Sequence, residues 1–261
     1  MKEILPLFLY GGLSLLIVFT ITWVIQLRTR NAAIVDTVWS ASFPLLAVIY
    51  FGLIDFGGAR QLLVLGAVSI WGLRLAIHLY LRTIGHPEDV RYTALRKEWG
   101  DKQNILMLRF FYVQAILALL LSLPFALMMV NTTSEPGVFE IIGIAICLIA
   151  VAGESAADAQ LRKFKSDPAN KGKICDRGLW YYSRHPNYFF EWLVWVGFFV
   201  MALGSPWGAI SIVCPLIMLF FLTKVTGITY TEREMLKSRG QAFAEYQKTT
   251  SSFVPLPKRK A

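Results

Sequence analysis

Seven stretches of mostly apolar residues, separated by short polar breaks, constrain this chain more than any other feature. They are Ile4–Leu27, Ile34–Ile54, Gln61–Leu81, Ile105–Val130, Val138–Asp158, Tyr188–Leu203 and Trp207–Ile228. About 20 such residues cross a hydrocarbon core as an α-helix, and lipid admits only helices or closed barrels, because nothing there bonds a bare peptide group. The expected fold is all-α, a polytopic membrane protein of about seven transmembrane helices in one integral domain. Gly204-Ser205-Pro206 joins the last two runs as a hairpin. The first run is too long for a signal h-region and lacks a small-residue exit, so it reads as a span. Two connections, 82–104 and 159–187, are long and polar, and a polar helix over Tyr230–Gln247 follows the last span.

The net charge of +9 suggests nucleic acid at first sight, but its distribution argues for topology. With the N-terminus outside and the C-terminus inside, all but Lys2, Arg60 and Arg74 of the 26 Lys and Arg residues fall in inner segments or at inner ends of spans. That is the cytoplasmic bias of membrane proteins. No nucleic acid is needed to explain it. Cys147, Cys175 and Cys214 form no CxxC pair and have no His at ligand spacing, so neither a metal site nor a disulfide is expected.

Ionisable groups inside spans are expensive and mark function by default. In the third run Arg74, His78 and Arg82 recur every fourth residue and share one helical face. Such a stripe needs an anionic partner, either carboxylates of other spans or a phosphate-bearing ligand. In the fifth, Glu154, Asp158 and Arg162 share a face. Residues Gly178–Tyr188 lead through Arg184-His185 into a helix started by Pro186, with Asn187 and Glu191 on one side. A helix N-terminus beside Arg suits an anion. Asp36 opens the second span, either as a dipole partner or, with Gln26, Trp39 and Phe43, as part of a substrate wall.

The segment Arg184-His185-Pro186-Asn187-Tyr188, followed by Glu191 and Trp192, resembles the C-terminal signature of the membrane steroid 5α-reductase superfamily. The Asp158–Arg162 spacing, Gly178-Leu179-Trp180, and Glu245-Tyr246 ahead of Phe253-Val254-Pro255 agree with it, as do His78 and Arg82-Thr83. The similarity runs from about 154 to 256 and is thin before 100. It is greatest to a bacterial branch of unknown function, related to sterol reductases and isoprenylcysteine carboxyl methyltransferases. The resemblance implies helices 1–130 on the substrate side, 138–261 holding NADPH, and a cavity facing the cytoplasm of a bacterial inner membrane. By match of position Asp158, Arg162, Asn187 and Glu191 would bind the cofactor, and the candidate set adds Arg74, Arg82, Arg91, Glu154, Lys165, Tyr181, Arg184, His185, Tyr188 and Tyr246. Glu154 and Lys165 stand where the family has Asn and Arg. Val35-Asp36 stands where the reductases have Gln-Glu, and Leu79, between His78 and Tyr80, where they have a Tyr.

The expected activity is NADPH-dependent reduction of an activated C=C bond in a steroid-like or other lipophilic enone. Asp36, His78 or Tyr80 would be the acid that bonds the substrate carbonyl, and Asp36 would need partial burial to stay neutral. A monomer with lipid neighbours is expected. An S-adenosylmethionine-dependent methyltransferase is the alternative, disfavoured by four arginines that its phosphate-free cofactor does not need. A non-enzymatic lipid-binding protein is the third reading.

Overall fold

A computed structural model describes residues 3–55, 57–133 and 135–259; the Lys2 and Lys260 charges lie outside them. Every described element is helical. Six segments are long and apolar enough to cross a membrane, and all coincide with runs read from the sequence. The remaining run forms a helix of 17 residues, Pro186–Ala202, at the short end of what spans a bilayer. The described residues divide into two compact units.

The first unit holds residues up to Glu140 together with 202–208. Its helices are α1 (Ile4–Thr29), α2 (Ile34–Gly52), α3 (Ala59–Thr83), α4 (Val90–Trp99), α5 (Gln103–Leu121) and α6 (Leu123–Met129). Helix α1 buries Leu7, Gly11, Leu15, Phe19, Thr22 and Gln26, a stripe spaced by three and four, and leaves Leu5, Leu9, Leu13, Ile17 and Ile21 exposed. A helix apolar on both faces is what a lipid solvent permits. Helices α2 and α3 pack closely, and Gly72 of α3 makes room for the ring of Pro44 inside α2. The fourth run breaks at Ser122, where Pro124 restarts the chain as α6. Helix α4, inside the polar 82–104 connection, escaped the apolar pattern because its own residues are polar. Asp89 caps it by accepting from the Arg91 N–H at 3.0 Å.

At the far end of this unit from α4, Arg60 and Glu140 form a buried ion pair, Nε to Oε1 3.3 Å, with side chains 5% and 0% exposed. Arg60 also donates to the carbonyls of Gly204 and Glu135. Asn131 donates to Gly204 O and Ser205 Oγ, and Gln61 to Asn131 O. Glu140→Gln should destabilise the detergent-extracted protein by about 3–5 kcal/mol, since it strands a buried guanidinium. The Arg60→Met/Glu140→Leu double variant should recover part of that loss in the thermal midpoint, and no recovery would show that the charges matter less than the carbonyl bonds.

The second unit comprises residues 141–201 and 209–261. It contains most of α7 (Val138–Ser166), then α8 (Leu179–Tyr182), α9 (Pro186–Ala202), α10 (Val213–Phe220), α11 (Ile228–Arg239) and α12 (Gln241–Thr249). The polar helix expected over Tyr230–Gln247 is two helices. Gly240 takes φ 52°, a left-handed angle that ends α11 and suits glycine. Helices α7 and α9 run antiparallel, with Gly143 against Gly197 and Met201, and Gly153 against Phe190. Cys147 Sγ lies 3.7 Å from Val194 O.

Candidate functional site

The polar end of the α7–α9 pair gathers the strongest cluster of predicted residues. Asn187 Nδ2 donates to Asp158 Oδ1 at 3.3 Å. Glu154, one turn before Asp158, and Glu191, one turn after Asn187, are buried like Asp158. Glu191 accepts from the Trp195 indole at 3.2 Å. Helix α7 carries Arg162 and Lys165 one and two turns beyond Asp158, both exposed. The sequence spacing produced this gradient, with carboxylates inside and cations outside on one helix.

Buried acceptors and an amide can bond hydroxyl and amide groups of a polar ligand, and the outer cations can face an anionic one. Arg184 and His185 are differently engaged. Arg184 donates through Nε and Nη2 to Glu232 of α11, at 2.7 and 3.1 Å. Its Nη1 donates to the carbonyls of Gln247 and Thr250, and its side chain is 9% exposed. His185 Nε2 lies 3.1 Å from Glu232 Oε1 and its ring stacks on Tyr188. Burial pushes the His185 imidazole below its ordinary range despite the Glu232 carboxylate. Gln247 closes the cluster, donating to Glu232 Oε2 at 2.7 Å. Tyr246 donates to the carbonyl of Trp180. Tyr181 is exposed and carries Lys258 over its ring at 4.5 Å. Glu232 is the partner that sequence reasoning missed; 48 residues separate it from Arg184, and no local pattern links them.

In the first unit, Asp36 sits in the first turn of α2. Its Oδ2 accepts from Arg91 Nη2 at 2.8 Å and its Oδ1 from the Tyr92 hydroxyl at 2.6 Å. Arg91 also donates to Asp89, as does Arg82 at 3.2 Å. Burial opposes charge on Asp89, but the bonds and charges of Arg91 and Arg82 hold its carboxyl below the usual range. A small cleft of about 130 Å³ opens here, lined by Asp36, Leu79, Arg82, Thr83, Asp89 and Arg91 among others. Gln26 is buried and accepts from Arg96 at 2.7 Å, and Arg96 grips Glu88, which accepts from the Ala32 N–H. Helix α4 thus ties the loops before α2 and after α3 together. Trp39 and Phe43 pack edge to face inside the unit. Arg74 and His78 are half-buried on α3, and Tyr80 is exposed. Asp36 accepts on both carboxyl oxygens in this arrangement. Tyr92, absent from the sequence-derived set, is its nearest hydroxyl.

Comparison with known proteins gives a family of unknown activity. The family model described as a protein of unknown function, DUF1295, matches residues 22–250. An uncharacterized protein of Schizosaccharomyces pombe is 25% identical over 222 residues, which cover 74% of this chain and 64% of that protein's length. No solved structure matches.

Proposed function

We propose that this chain, which belongs to the DUF1295 family, is a membrane-embedded reductase that uses NADPH on an activated C=C bond of a lipophilic substrate. One observation carries the reading. Asp158 and Asn187 meet within apolar helices, flanked by buried Glu154 and Glu191, with Arg162 one turn outward. Ionisable groups gathered within apolar helices mark a functional site by default, and the resemblance to the steroid 5α-reductase superfamily suggests a dinucleotide for it.

When bound, NADPH supplies the hydride for the β-carbon of the enone. In this reading Asp158, Asn187 and Glu191 bind and orient the cofactor's hydroxyl and amide groups, and Arg162 and Lys165 neutralise phosphate. Because Asp36 accepts from Arg91 and Tyr92, the hydrogen bond to the substrate carbonyl falls to His78, with Tyr80 beside it on α3. That bond stabilises the developing enolate. Asp36 keeps the mouth of the first unit in shape, and Gln26, Trp39 and Phe43 bound the substrate. The mouth faces the cytoplasm, as the distribution of Lys and Arg implies.

A second reading has its own support. Arg82 and Arg184 bond Asp89 and Glu232, so two of the four arginines that argued against an S-adenosylmethionine-dependent methyltransferase have partners within the chain. Equilibrium binding separates the readings. Purified protein should bind NADPH, and Asn187→Ala should weaken binding about threefold to tenfold, the loss of one neutral hydrogen bond. Binding of S-adenosylmethionine with indifference to NADPH would replace the reductase by the methyltransferase. Binding of neither would leave a lipid-binding protein.

A further inference from the structure

The segment that follows Arg162 has a property that cofactor binding does not use. Besides Lys165, it carries four exposed cations, Lys163, Lys171, Lys173 and Arg177, against the carboxylates Asp167 and Asp176. Helix α7 has 29 residues. At 1.5 Å per residue it is longer than a hydrocarbon core of ~30 Å, so its last turns, bearing Arg162, Lys163 and Lys165, emerge at headgroup level. The chain then turns through Pro168–Asn170 and Gly172, which displays Lys171 and Lys173.

Two contrasts set these charges apart from the other surface cations of the same unit. On α11 and α12, Arg233 and Lys237 pair with Glu234, and Lys248 pairs with Glu245. Among the described residues, Lys163, Lys171 and Lys173 have no carboxylate within 4.0 Å. Asp167 accepts from the backbone of Ala169 and the amide of Asn170 instead. Furthermore, the segment runs directly into a group of exposed apolar side chains. Tyr181, Tyr182, Val254 and Leu256 are all exposed, and the Leu256 N–H bonds Tyr182 O at 3.0 Å, joining them into one patch. Exposed aromatic and aliphatic groups beside these three lysines are the composition of a surface that sits in the headgroup zone.

We propose that Lys163, Lys171, Lys173 and Arg177, with the Tyr181–Tyr182 and Val254–Leu256 patch, form a docking surface for anionic phospholipid headgroups. Basic residues next to a span attract anionic leaflets additively, each by about fivefold in affinity, and salt screens the attraction. The surface is separate from the Asp158–Asn187 site and does not depend on which cofactor that site takes.

The test is a titration of the detergent-extracted protein with short-chain phosphatidylglycerol, phosphatidylcholine and inorganic phosphate, read as the thermal midpoint. Phosphatidylglycerol should raise the midpoint by several degrees, 0.5 M NaCl should suppress the rise, and neither of the other two should reproduce it. The Lys163→Gln/Lys171→Gln/Lys173→Gln variant should lose most of the rise, its affinity for phosphatidylglycerol falling at least about tenfold. The Lys237→Gln/Lys248→Gln variant, which removes paired cations, should keep it. An equal response to phosphatidylcholine, or an undiminished response in the triple variant, would overturn the proposal. A response to free phosphate alone would do the same. If the triple variant is too unstable to titrate, native mass spectrometry of the parent from mixed-lipid nanodiscs decides, through preferential retention of phosphatidylglycerol or its absence.

Discussion

Arg184→Ala should leave the second unit unable to hold its C-terminal third, with a loss of about 3–5 kcal/mol, the usual result of removing one member of a buried ion pair. The side chain ties the entry to α9 to α11 and to the end of α12. It donates twice to Glu232 of α11, and to the carbonyls of Gln247 and Thr250 at the end of α12. Its own N–H donates to Ser251 O at 2.8 Å, while Ser183 Oγ donates to Phe253 O and so fixes the tail beside the entry to α9. Truncation takes the cation from the half-buried Glu232, leaving it His185 and Gln247, and leaves two carbonyls without their donor. Arg184→Lys should retain under half of the stability, because an ammonium cannot reproduce the planar two-toothed contact. The check is the thermal midpoint of the monodisperse fraction in detergent. A shift within a degree of the parent for Arg184→Ala would mean that the apolar contacts of Phe253 with Phe189 and Trp192 hold the tail unaided.

The same cluster gives a pH dependence of known sign. Burial depresses the folded-state pKa of His185, so the unfolded chain takes up its proton first as the pH falls. The stability tied to the neutral imidazole is full above about pH 6.5, the ordinary histidine value, and is lost as the pH drops through the lower folded-state value. His185→Gln should flatten that part of the profile while keeping a donor toward Glu232.

Much of this architecture was legible because lipid simplifies the code. A span must be long, apolar and helical, so hydropathy alone located the apolar runs. Pro186 marked the start of α9, since its fixed φ and missing N–H suit a first helical position. What stayed hidden were pairings over long sequence distances. Arg60 looked like a stray outer charge until Glu140, 80 positions on, met it in the interior. Arg184 looked like a phosphate ligand because its motif is local and its partner Glu232 is not. Asp36 reads either as a helix-start carboxylate or as a candidate acid; its partners Arg91 and Tyr92 stay hidden because they lie on a short polar helix with no apolar signature. Asp158 with Asn187 was legible, because helix periodicity places each residue and the two spans are neighbours in the second unit.

Gly143→Ala should do large damage for a small chemical change. A methyl group there would stand 2.6 Å from both the Gly197 carbonyl oxygen and the Met201 nitrogen. These are backbone atoms, which cannot rotate away, so α7 and α9 must separate. Overpacking of this kind costs about 1–3 kcal/mol or more, and small residues at a helix crossing in lipid are the means by which two backbones approach. Gly197→Ala meets Cys147 Sγ at 2.5 Å and should cost less, because a thiol can turn. Gly66 of α3 is the control. A methyl there meets nothing within 4 Å, and alanine is better than glycine inside a helix by up to ~1 kcal/mol, so Gly66→Ala should be neutral or stabilising. The crossing also bears on the candidate site, since Asp158 and Asn187 are held together by the same helix pair at its other end. Gly143→Ala should therefore weaken NADPH binding as well as lower the thermal midpoint, whereas Gly66→Ala should change neither for the worse. Loss of stability with unaltered NADPH affinity would show that the Asp158–Asn187 contact survives a wider crossing, and that the two ends of the pair are set independently.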